Sequence, residues 1–470
     1  MAKHKRIKID RPERGNYLGA PFIITHTLML ICAAIAVGLL VIVLLSVLNS
    51  PYEKFYFDGR PIVFAFFGLI ILFILLLTAL VLVQVLNKDK MPTYDEFKRA
   101  QNKFAYLKKK SRFPELMDID KECGSFKKEE VNPNFATLKD FCNDFKDYIA
   151  SKLKLYYTAE DIRLFVTSLA TSKIMILQGM SGTGKTSIAV AFGKYINNLS
   201  TVVPVQPMWK EKSDLLGYYN EFTGKFNETT ILKKLYEAGY SDKLFIIVLD
   251  EMNIARVEYY FSEFLSLLEL PPNSERMLAI ASGGDIGDPE KMSHGRILLP
   301  DNVWFLGTAN NDDSTFAISD KVYDRAMVMN LNYRADKYTV DRKVESAHFS
   351  VEKFKELVTN ARNKYPLTDE AKAKLKVLDE YLVSTFHITF GNRIMMQIRN
   401  YVPVLVDCGG TELEALDDII YKKILRKLEA QNPIYVKNKS VELIAKFDEI
   451  FGTDTMKHCI EYINTLANNA

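Results

Sequence analysis

The chain has 470 residues, of which 48% are apolar and 25% charged, and a net charge of +3. This composition is typical of folded domains and excludes an intrinsically disordered protein. The five cysteines contain no C-x-x-C pair and the six histidines have no metal-ligand spacing, so the sequence predicts neither a disulfide framework nor a zinc site. A reducing compartment fits this cysteine usage best.

Two long apolar stretches dominate the N-terminal fifth of the sequence. Residues 22–48 and 62–86 contain no Asp, Glu, Lys or Arg, and each exceeds the ~20 residues needed to cross a bilayer. A cleaved signal peptide is the alternative, but its apolar region would be only ~7–15 residues long and no second span would follow. We therefore predict a two-helix transmembrane hairpin over residues 1–90.

The charges around these stretches predict their orientation. The two outer flanks hold fifteen Lys and Arg against five Asp and Glu, whereas the connecting loop, 49–61, holds only Lys54 and Arg60. Positive flanks stay on the cytoplasmic side, so both termini and everything after residue 86 are predicted to be cytoplasmic at the inner membrane. Once the flanks are subtracted from +3, the rest of the chain is about −7, which gives no nucleic-acid signature.

Residues 91–154 are predicted to be a cytosolic linker and helical region. Up to about residue 134 the sequence is polar and poorly periodic, which is typical of a tether or a small helical linker. Thr158 with Asp161 then indicates the start of a helix. Apolar residues at helical spacing precede this cap: Leu138, Phe141, Phe145, Tyr148 and Ile149.

Short apolar runs alternating with amphipathic stretches predict an α/β domain with a parallel sheet over residues 155–333. The predicted strands are 173–177, 201–205, 244–249 and 303–308. Strand signals fade after about residue 333. The segments 351–364, 369–386, 393–402 and 413–431 have helical patterns, so residues 334–470 are predicted to be a helical domain.

A glycine-rich loop follows the first predicted strand and precedes a helical stretch. Its glycines allow successive N–H groups to point at phosphate oxygens at the N-terminus of that helix. Lys185 would neutralise the terminal phosphates and Thr186 would ligate Mg²⁺. An ordinary glycine-rich turn is the alternative. We call this segment the P-loop; its residues are Gly179, Met180, Ser181, Gly182, Thr183, Gly184, Lys185 and Thr186.

Polar residues follow two other predicted strands. Asp250 and Glu251 end the strand 244–249; the first acid would hold Mg²⁺ and the second would deprotonate the attacking water. Alone, this pair is a common strand cap, but with the P-loop the functional interpretation is favoured. Asn310, after the strand 303–308, is a candidate to position that water, with a plain turn residue as the equal alternative.

Residues 249–261, which read LDEMNIARVEYYF, and 307–310, which read GTAN, resemble AAA+ ATPases of the McrB-like branch, related to dynein and the MoxR-type ATPases. The resemblance implies a P-loop sheet domain with a helical lid domain. It implies ATP and Mg²⁺ as cofactors, with GTP kept open, and assembly with itself into a ring, most naturally a hexamer.

The same resemblance implies roles for further residues. Arg325, in a segment similar to the one bearing the arginine finger, would reach the neighbouring subunit's nucleotide, with a surface salt bridge as the alternative. Arg393 would contact the bound phosphates from the lid side. Three aromatic residues of an inserted hairpin would face the ring centre, although ordinary packing stays open for them: Trp209, Tyr218 and Tyr219.

In one segment the sequence differs from McrB-like proteins, and the difference concerns the expected partner protein. McrB-like proteins commonly have an Asp-Arg pair after the sensor asparagine, whereas Asp313 is followed here by Ser314, which weakens the case for an activating partner of that system. The resemblance still implies a motor for remodelling or translocation, most naturally in antiviral defence with a separate nuclease or effector, and the predicted hairpin would anchor this motor to the membrane. A MoxR-like remodelling chaperone and a nucleotide-gated scaffold that scarcely hydrolyses are the alternatives.

Overall fold

The computed structural model describes residues 111–123, 135–271, 275–284, 287–310 and 315–469. These belong to one unit of the chain, Ser111–Ala470. No helix within the described ranges combines the length and apolar character that a bilayer crossing requires. The predicted spans, 22–48 and 62–86, lie outside the described residues.

Short apolar runs form the strands of the central sheet. The four predicted strands are confirmed within one residue at each end, as β1, β2, β5 and β9. A fifth parallel strand, β10, was not predicted. The strands of the described residues, in chain order, are β1 (Ile174–Gln178), β2 (Thr201–Pro204), β3 (Gly217–Asn220), β4 (Lys225–Glu228), β5 (Phe245–Asp250), β6 (Met277–Ala279), β7 (Met292–Ser293), β8 (Arg296–Leu298), β9 (Val303–Ala309) and β10 (Met327–Asn330).

The main sheet is parallel, with strand order β10-β1-β9-β5-β2. Both of its faces are covered, which explains why the strands are near-continuous apolar runs. Alternate residues of a strand pack on opposite faces of the sheet. Leu177 and Val248 belong to the hydrophobic cluster on one face, whereas Ile176 and Ile247 belong to the cluster on the other. A hairpin of β3 and β4 and a small antiparallel sheet of β6, β8 and β7 lie outside the main sheet.

Helices connect and follow the strands. The α-helices of the described residues are α1 (Pro114–Cys123), α2 (Leu138–Leu153), α3 (Ala159–Thr171), α4 (Lys185–Tyr195), α5 (Lys212–Leu216), α6 (Thr230–Ala238), α7 (Val257–Tyr260), α8 (Ser262–Leu267), α9 (Asp320–Tyr323), α10 (Val351–Lys364), α11 (Asp369–Phe386), α12 (Asn392–Asp407), α13 (Glu412–Lys423), α14 (Pro433–Phe451) and α15 (Lys457–Asn468). The predicted cap of α3 is confirmed, because Thr158 and Asp161 form a capping box.

Of the two alternatives for the predicted linker, residues 111–123 show the helical one, and they pack against the sheet domain. Phe113 and Leu116 are fully buried, and burial of each contributes about 1.5–3 kcal/mol. The buried Glu228 accepts hydrogen bonds from the N–H groups of Glu115 and Leu116, at 2.9 and 2.8 Å, and so satisfies the first turn of α1. Because most of α1 is polar, its few apolar residues gave no periodic signal.

The second half of that predicted linker region is also part of the core. Helix α2 confirms the predicted apolar spacing, and its Phe141 and Phe145 stack edge-on against Phe192 of α4, with ring centroids 6.2 and 5.3 Å apart. The sheet domain therefore begins well before residue 155.

The C-terminal helices confirm the predicted helical domain but divide differently from the prediction. Helix α10 packs on the sheet, because Phe354 and Leu357 belong to a cluster that includes strand residues. A separate cluster, which we call the lid, starts at Leu367 and contains the buried faces of α11 to α15. The predicted segment 413–431 is α13 followed by a 3-10 helix, Leu425–Ala430.

Candidate functional site

Three strand ends meet at one edge of the sheet, which we call the carboxyl edge. Strand β9 lies between β1 and β5, with Ala309 beside Gln178 and Gly307 beside Leu249. The residues that directly follow these strands are therefore neighbours, although they are far apart in sequence. This is the edge at which ligands bind in open α/β sheets.

The P-loop requires glycine at two places. Gly179 has φ 144°, and a Cβ there would lie 2.1 Å from the Leu331 carbonyl oxygen. Gly184 has φ 97°, and a Cβ there would lie 2.7 Å from Tyr157 Oη, which donates a 2.8 Å hydrogen bond to the Gly184 oxygen. Since burial raises the pKa of Tyr157, this donor stays protonated. Side chains other than glycine would push the loop out of place.

Lys185 begins α4 and lies against the P-loop itself. Its side chain is largely buried, and Nζ donates to the carbonyl oxygens of Gly179 and Met180, both at 2.8 Å. The Thr183 hydroxyl also donates to Met180 O, at 2.9 Å. The loop thus surrounds its own lysine at the start of a helix, where backbone N–H groups and the helix dipole favour an anion.

The predicted magnesium ligands are in direct contact. The Thr186 hydroxyl donates to Asp250 Oδ1 at 2.7 Å, and the Thr308 hydroxyl donates to the same oxygen at 2.8 Å. Thr308 in turn accepts the Glu251 N–H at 2.8 Å. The Thr308 hydroxyl of β9 therefore connects the Asp250 carboxylate with the Glu251 main chain. The sequence analysis missed this role, although Thr308 lies in the segment quoted for the resemblance.

Glu251 follows β5 with φ 53° and ψ 48°. This left-handed conformation is disfavoured for a residue with a side chain and occurs most often at functional sites. The Glu251 side chain is exposed to solvent, so a water molecule has access to the carboxylate.

Asn310 lies at the end of the middle strand. Its main-chain oxygen accepts hydrogen bonds from Asn253 Nδ2 at 2.8 Å and from the Thr315 hydroxyl at 3.1 Å. Its own Oδ1 is buried and has no hydrogen-bond partner among the described residues. A buried polar atom of this kind needs a partner, and a ligand with its water molecules at the carboxyl edge would supply one.

The residues present therefore fit a nucleoside triphosphate with magnesium. A glycine-rich loop with a buried lysine suits phosphates, and a hydroxyl beside a carboxylate suits Mg²⁺, which uses one or two protein carboxylates together with phosphate and water oxygens. In the described part of the chain, no group of three or more His, Cys, Asp or Glu side chains is placed to hold a metal by itself.

Arg325 and Arg393 lie together, and both pair with Glu269. Arg325 Nε and Nη2 lie 2.9 and 3.2 Å from the two Glu269 oxygens. Arg393 Nη2 lies 2.9 Å from Glu269 Oε1. We call these three residues the Glu269 cluster. The sequence analysis missed Glu269, which follows α8 without any motif.

The Glu269 cluster is at the opposite, amino edge of the sheet. The Arg325 carbonyl accepts a 2.9 Å hydrogen bond from Ser172, just before β1. The six residues from there to Gln178 span roughly 20 Å in extended chain. Gln397, one turn after Arg393, donates to Asp324 O at 2.9 Å and keeps the start of α12 at this edge.

Arg393 therefore does not lie beside the P-loop of its own subunit, and the predicted contact with phosphates bound there is not supported. The physical reason is the docking of the lid: the buried Lys423 donates to the carbonyl oxygens of Tyr323 and Ala326, directly around Arg325. Arg325 forms the alternative, a salt bridge within its own subunit, with Glu269. Its contact with the nucleotide of a neighbouring subunit stays a prediction.

The predicted aromatic hairpin exists as β3 and β4, but its residues differ in exposure. Trp209 packs edge-on against Tyr260, with centroids 5.5 Å apart, so ordinary packing accounts for it. Tyr218 and Tyr219 are exposed on β3, and Phe222 in the turn is wholly exposed. Phe222, which the sequence analysis missed, is the most accessible aromatic of this hairpin.

Comparisons with known proteins divide the chain into two matched segments. Residues 174–326 match the family model described as AAA domain (dynein-related subfamily). Residues 343–470 match a domain of unknown function, DUF8727, which corresponds to α10 and the lid. The first segment contains every predicted site residue except Arg393.

A curated relative is the Type IV methyl-directed restriction enzyme EcoKMcrB subunit of Escherichia coli (strain K12). It is 24% identical over 173 residues, which make up 35% of this chain and 36% of the relative. The chain therefore spans little more than a third of that protein's length.

Solved structures matched over part of this chain include a Cytophaga hutchinsonii ATCC 33406 protein described as an ATPase, at 14% identity and a TM-score of 0.40, covering 79% of this chain and 98% of that one. An MCM homologue from Methanopyrus kandleri is 11% identical with a TM-score of 0.35, covering 63% and 62%. The match to the AAA domain model thus covers residues 174–326, which include the P-loop and the other predicted residues of the carboxyl edge.

Proposed function

We propose that this protein is an AAA+ ATPase that hydrolyses ATP at the carboxyl edge of its sheet. The observation that carries the proposal is the chain of contacts from Thr186 through Asp250 and Thr308 to Glu251, directly beside the P-loop. A strand cap or a glycine-rich turn gives no reason for these groups, which come from helix α4 and the separate strands β5 and β9, to share one set of hydrogen bonds.

Each residue has a distinct task in this proposal. The P-loop amides and Lys185 bind the phosphates, and Thr186 with Asp250 holds Mg²⁺. When bound, the metal neutralises charge on the phosphate oxygens. Glu251 accepts a proton from the attacking water, while the Asn310 carboxamide orients that water.

The second part of the proposal is assembly. Arg325 and Arg393 lie roughly 20 Å from their own P-loop along the strands, so they serve hydrolysis only if another subunit brings its P-loop to the amino edge. A head-to-tail ring satisfies this requirement at every interface. We propose a hexamer, with the hairpin of Tyr218, Tyr219 and Phe222 available to contact a substrate.

The third part concerns location and role. The apolar stretches 22–48 and 62–86 would anchor the ring to the inner membrane, with the AAA+ domain in the cytoplasm. The curated relative is one subunit of a restriction enzyme, which supports a defence role with a separate nuclease or effector. Identification of proteins that co-purify with the full chain tests this role: a nuclease supports defence, whereas membrane-protein clients support remodelling.

Hydrolysis is tested with the full chain purified in detergent, by phosphate release with ATP and with GTP and by the size of the oligomer. Glu251→Gln is expected to lower hydrolysis at least ~100-fold, because a general base contributes about that much, while nucleotide binding is retained. Glu380→Gln, an exposed lid variant, is the control.

Two results would contradict the proposal. If the wild-type chain binds neither ATP nor GTP, there is no nucleotide site. If it binds but releases no more phosphate than Glu251→Gln does, the protein is a nucleotide-gated scaffold. A higher rate with GTP than with ATP would change the nucleotide but keep the mechanism.

A further inference from the structure

The chain that leaves the sheet after β10 runs alongside the P-loop. Leu331 N–H donates to Gln178 O at 2.7 Å, which continues the parallel pairing of β10 with β1 by one residue. The Leu331 carbonyl is the group that excludes a side chain at Gly179. The three residues that follow Leu331 are thereby held next to the phosphate site by main-chain pairing.

Arg334 is the charged residue that this path delivers to the P-loop. Its Nε and Nη2 both donate to the Gly182 carbonyl oxygen, at 3.1 and 2.8 Å. Gly182 itself has φ 77°, so its carbonyl is turned by a conformation that glycine adopts easily. The Arg334 side chain is exposed, so it can change partners without disturbing the core.

Two cations thus lie against one short loop. Lys185 donates to the first carbonyl groups of the P-loop, and Arg334 donates to a later one. A carbonyl oxygen is a neutral acceptor, whereas hydrogen bonds from a guanidinium to a phosphate are charge-assisted and roughly twice as strong. The planar fork of arginine also matches the phosphate geometry. A phosphate bound in the P-loop would therefore attract Arg334 away from Gly182.

The other arginine predicted for this task is held elsewhere. Arg393 pairs with Glu269 at the amino edge, and Gln397 fixes the same helix to Asp324. A site that binds three or four negative charges is left with Lys185 and Arg334 as the cations that the structure places on the P-loop of the same subunit.

We propose that Arg334 is a phosphate-binding residue of the nucleotide site and supplies, within one subunit, the cation that the family resemblance assigned to Arg393. This inference rests on the proposed nucleotide-binding function. It adds a residue to the site and moves the in-subunit arginine from the lid to the segment that follows β10, beside the P-loop.

The test is calorimetric titration of ATP with Mg²⁺ into the full chain carrying Glu251→Gln, which prevents hydrolysis during the measurement. Adding Arg334→Ala is expected to weaken ATP binding about tenfold or more, since hydrogen bonds to charged groups have this order of effect. Lys337→Ala removes a positive charge from the same exposed segment and should leave the dissociation constant within about twofold.

Failure of this inference is distinguishable from failure of the proposed function. If the Glu251→Gln parent does not bind ATP, the proposed function fails. If the parent binds and Arg334→Ala binds as tightly as Lys337→Ala does, Arg334 has no phosphate contact. Should Arg334→Ala lower the melting temperature, Arg334→Gln keeps a donor for Gly182 without the charge, and unchanged ATP affinity in that variant would overturn the inference.

Discussion

The carboxyl and amino edges of the same parallel sheet are built differently. At the carboxyl edge, residues from β1, β5, β9 and the chain after β10 meet, and their hydroxyl and carboxylate groups are already in contact. At the amino edge, Arg325 and Arg393 share one carboxylate, Glu269, away from the P-loop of their own subunit.

On the proposed function, one subunit holds the nucleotide site at its carboxyl edge and, separately, a pair of cations at its amino edge. Hydrolysis then depends on a second subunit that brings its P-loop to this pair. Lys423 of the lid donates to the carbonyl oxygens around Arg325 and so helps to hold Arg393 at the amino edge.

The largest expected effect tests whether the amino edge acts on a neighbour. Arg325→Ala should lower ATP hydrolysis about 10³-fold, the usual contribution of an arginine finger, with little change in ATP affinity. Phosphate release by an equimolar mixture of Arg325→Ala and Glu251→Gln chains is the measurement. Activity should reappear, because a nucleotide site with an intact Glu251 from the first variant meets an intact Arg325 from the second.

Arg399→Ala, an exposed change on the same helix as Arg393, is the control and should retain wild-type activity. If each single variant is inactive and the mixture stays inactive at concentrations where rings form, Arg325 acts within its own subunit and the comparison of the two edges breaks down.

The next effect concerns the docking of the lid at the amino edge. Burial lowers the pKa of Lys423 to about 7, against the attraction of Asp324 and with repulsion from Arg426, Lys422 and Arg393. Between pH 7 and the unfolded value of 10.5, the unfolded chain holds a proton that the folded chain has released. The free energy of unfolding of the wild type should therefore rise with pH in this window.

From pH 7 to pH 9, the free energy of unfolding of the wild type should thus rise by up to about 2 kcal/mol relative to that of Lys423→Met. Thermal unfolding of both proteins at each pH is the measurement. Below pH 7 the cost of burying the charge is fully present. Lys376→Met, at an exposed lysine of the lid, controls for loss of a lysine. A difference that does not change with pH would show that the carbonyl groups around Lys423 keep it charged throughout.

The smallest expected effect tests the hydrogen bonds that the Thr308 hydroxyl makes at the carboxyl edge. Thr308→Val removes the hydroxyl that donates to Asp250 and accepts the Glu251 N–H, while the shape of the side chain is kept. We expect kcat for ATP hydrolysis to fall about tenfold with KM nearly unchanged, because a hydrogen bond to a charged group is lost. Thr308→Ser should retain most of the activity; an equal loss there would indicate a packing role instead.

Local pattern was sufficient for much of the fold. Buried parallel strands are continuous apolar runs, so four of the five were predicted within a residue, and the P-loop was predicted because glycines, lysine and threonine must lie in one short segment between a strand and a helix. Strand β10 and helix α1 were not predicted. A mostly polar helix such as α1 gives too little periodicity.

The sequence alone determined which residues carry charge, hydroxyl and glycine, and that Asp250, Glu251 and Asn310 follow apolar strands, because these properties are local. Only the tertiary structure decided which of these groups meet. Strand order placed Thr308 between the two acids and brought Arg334 to the P-loop, and lid docking moved Arg393 to the amino edge. Contacts between residues distant in sequence depend on how strands pair and helices dock, and no local pattern records them.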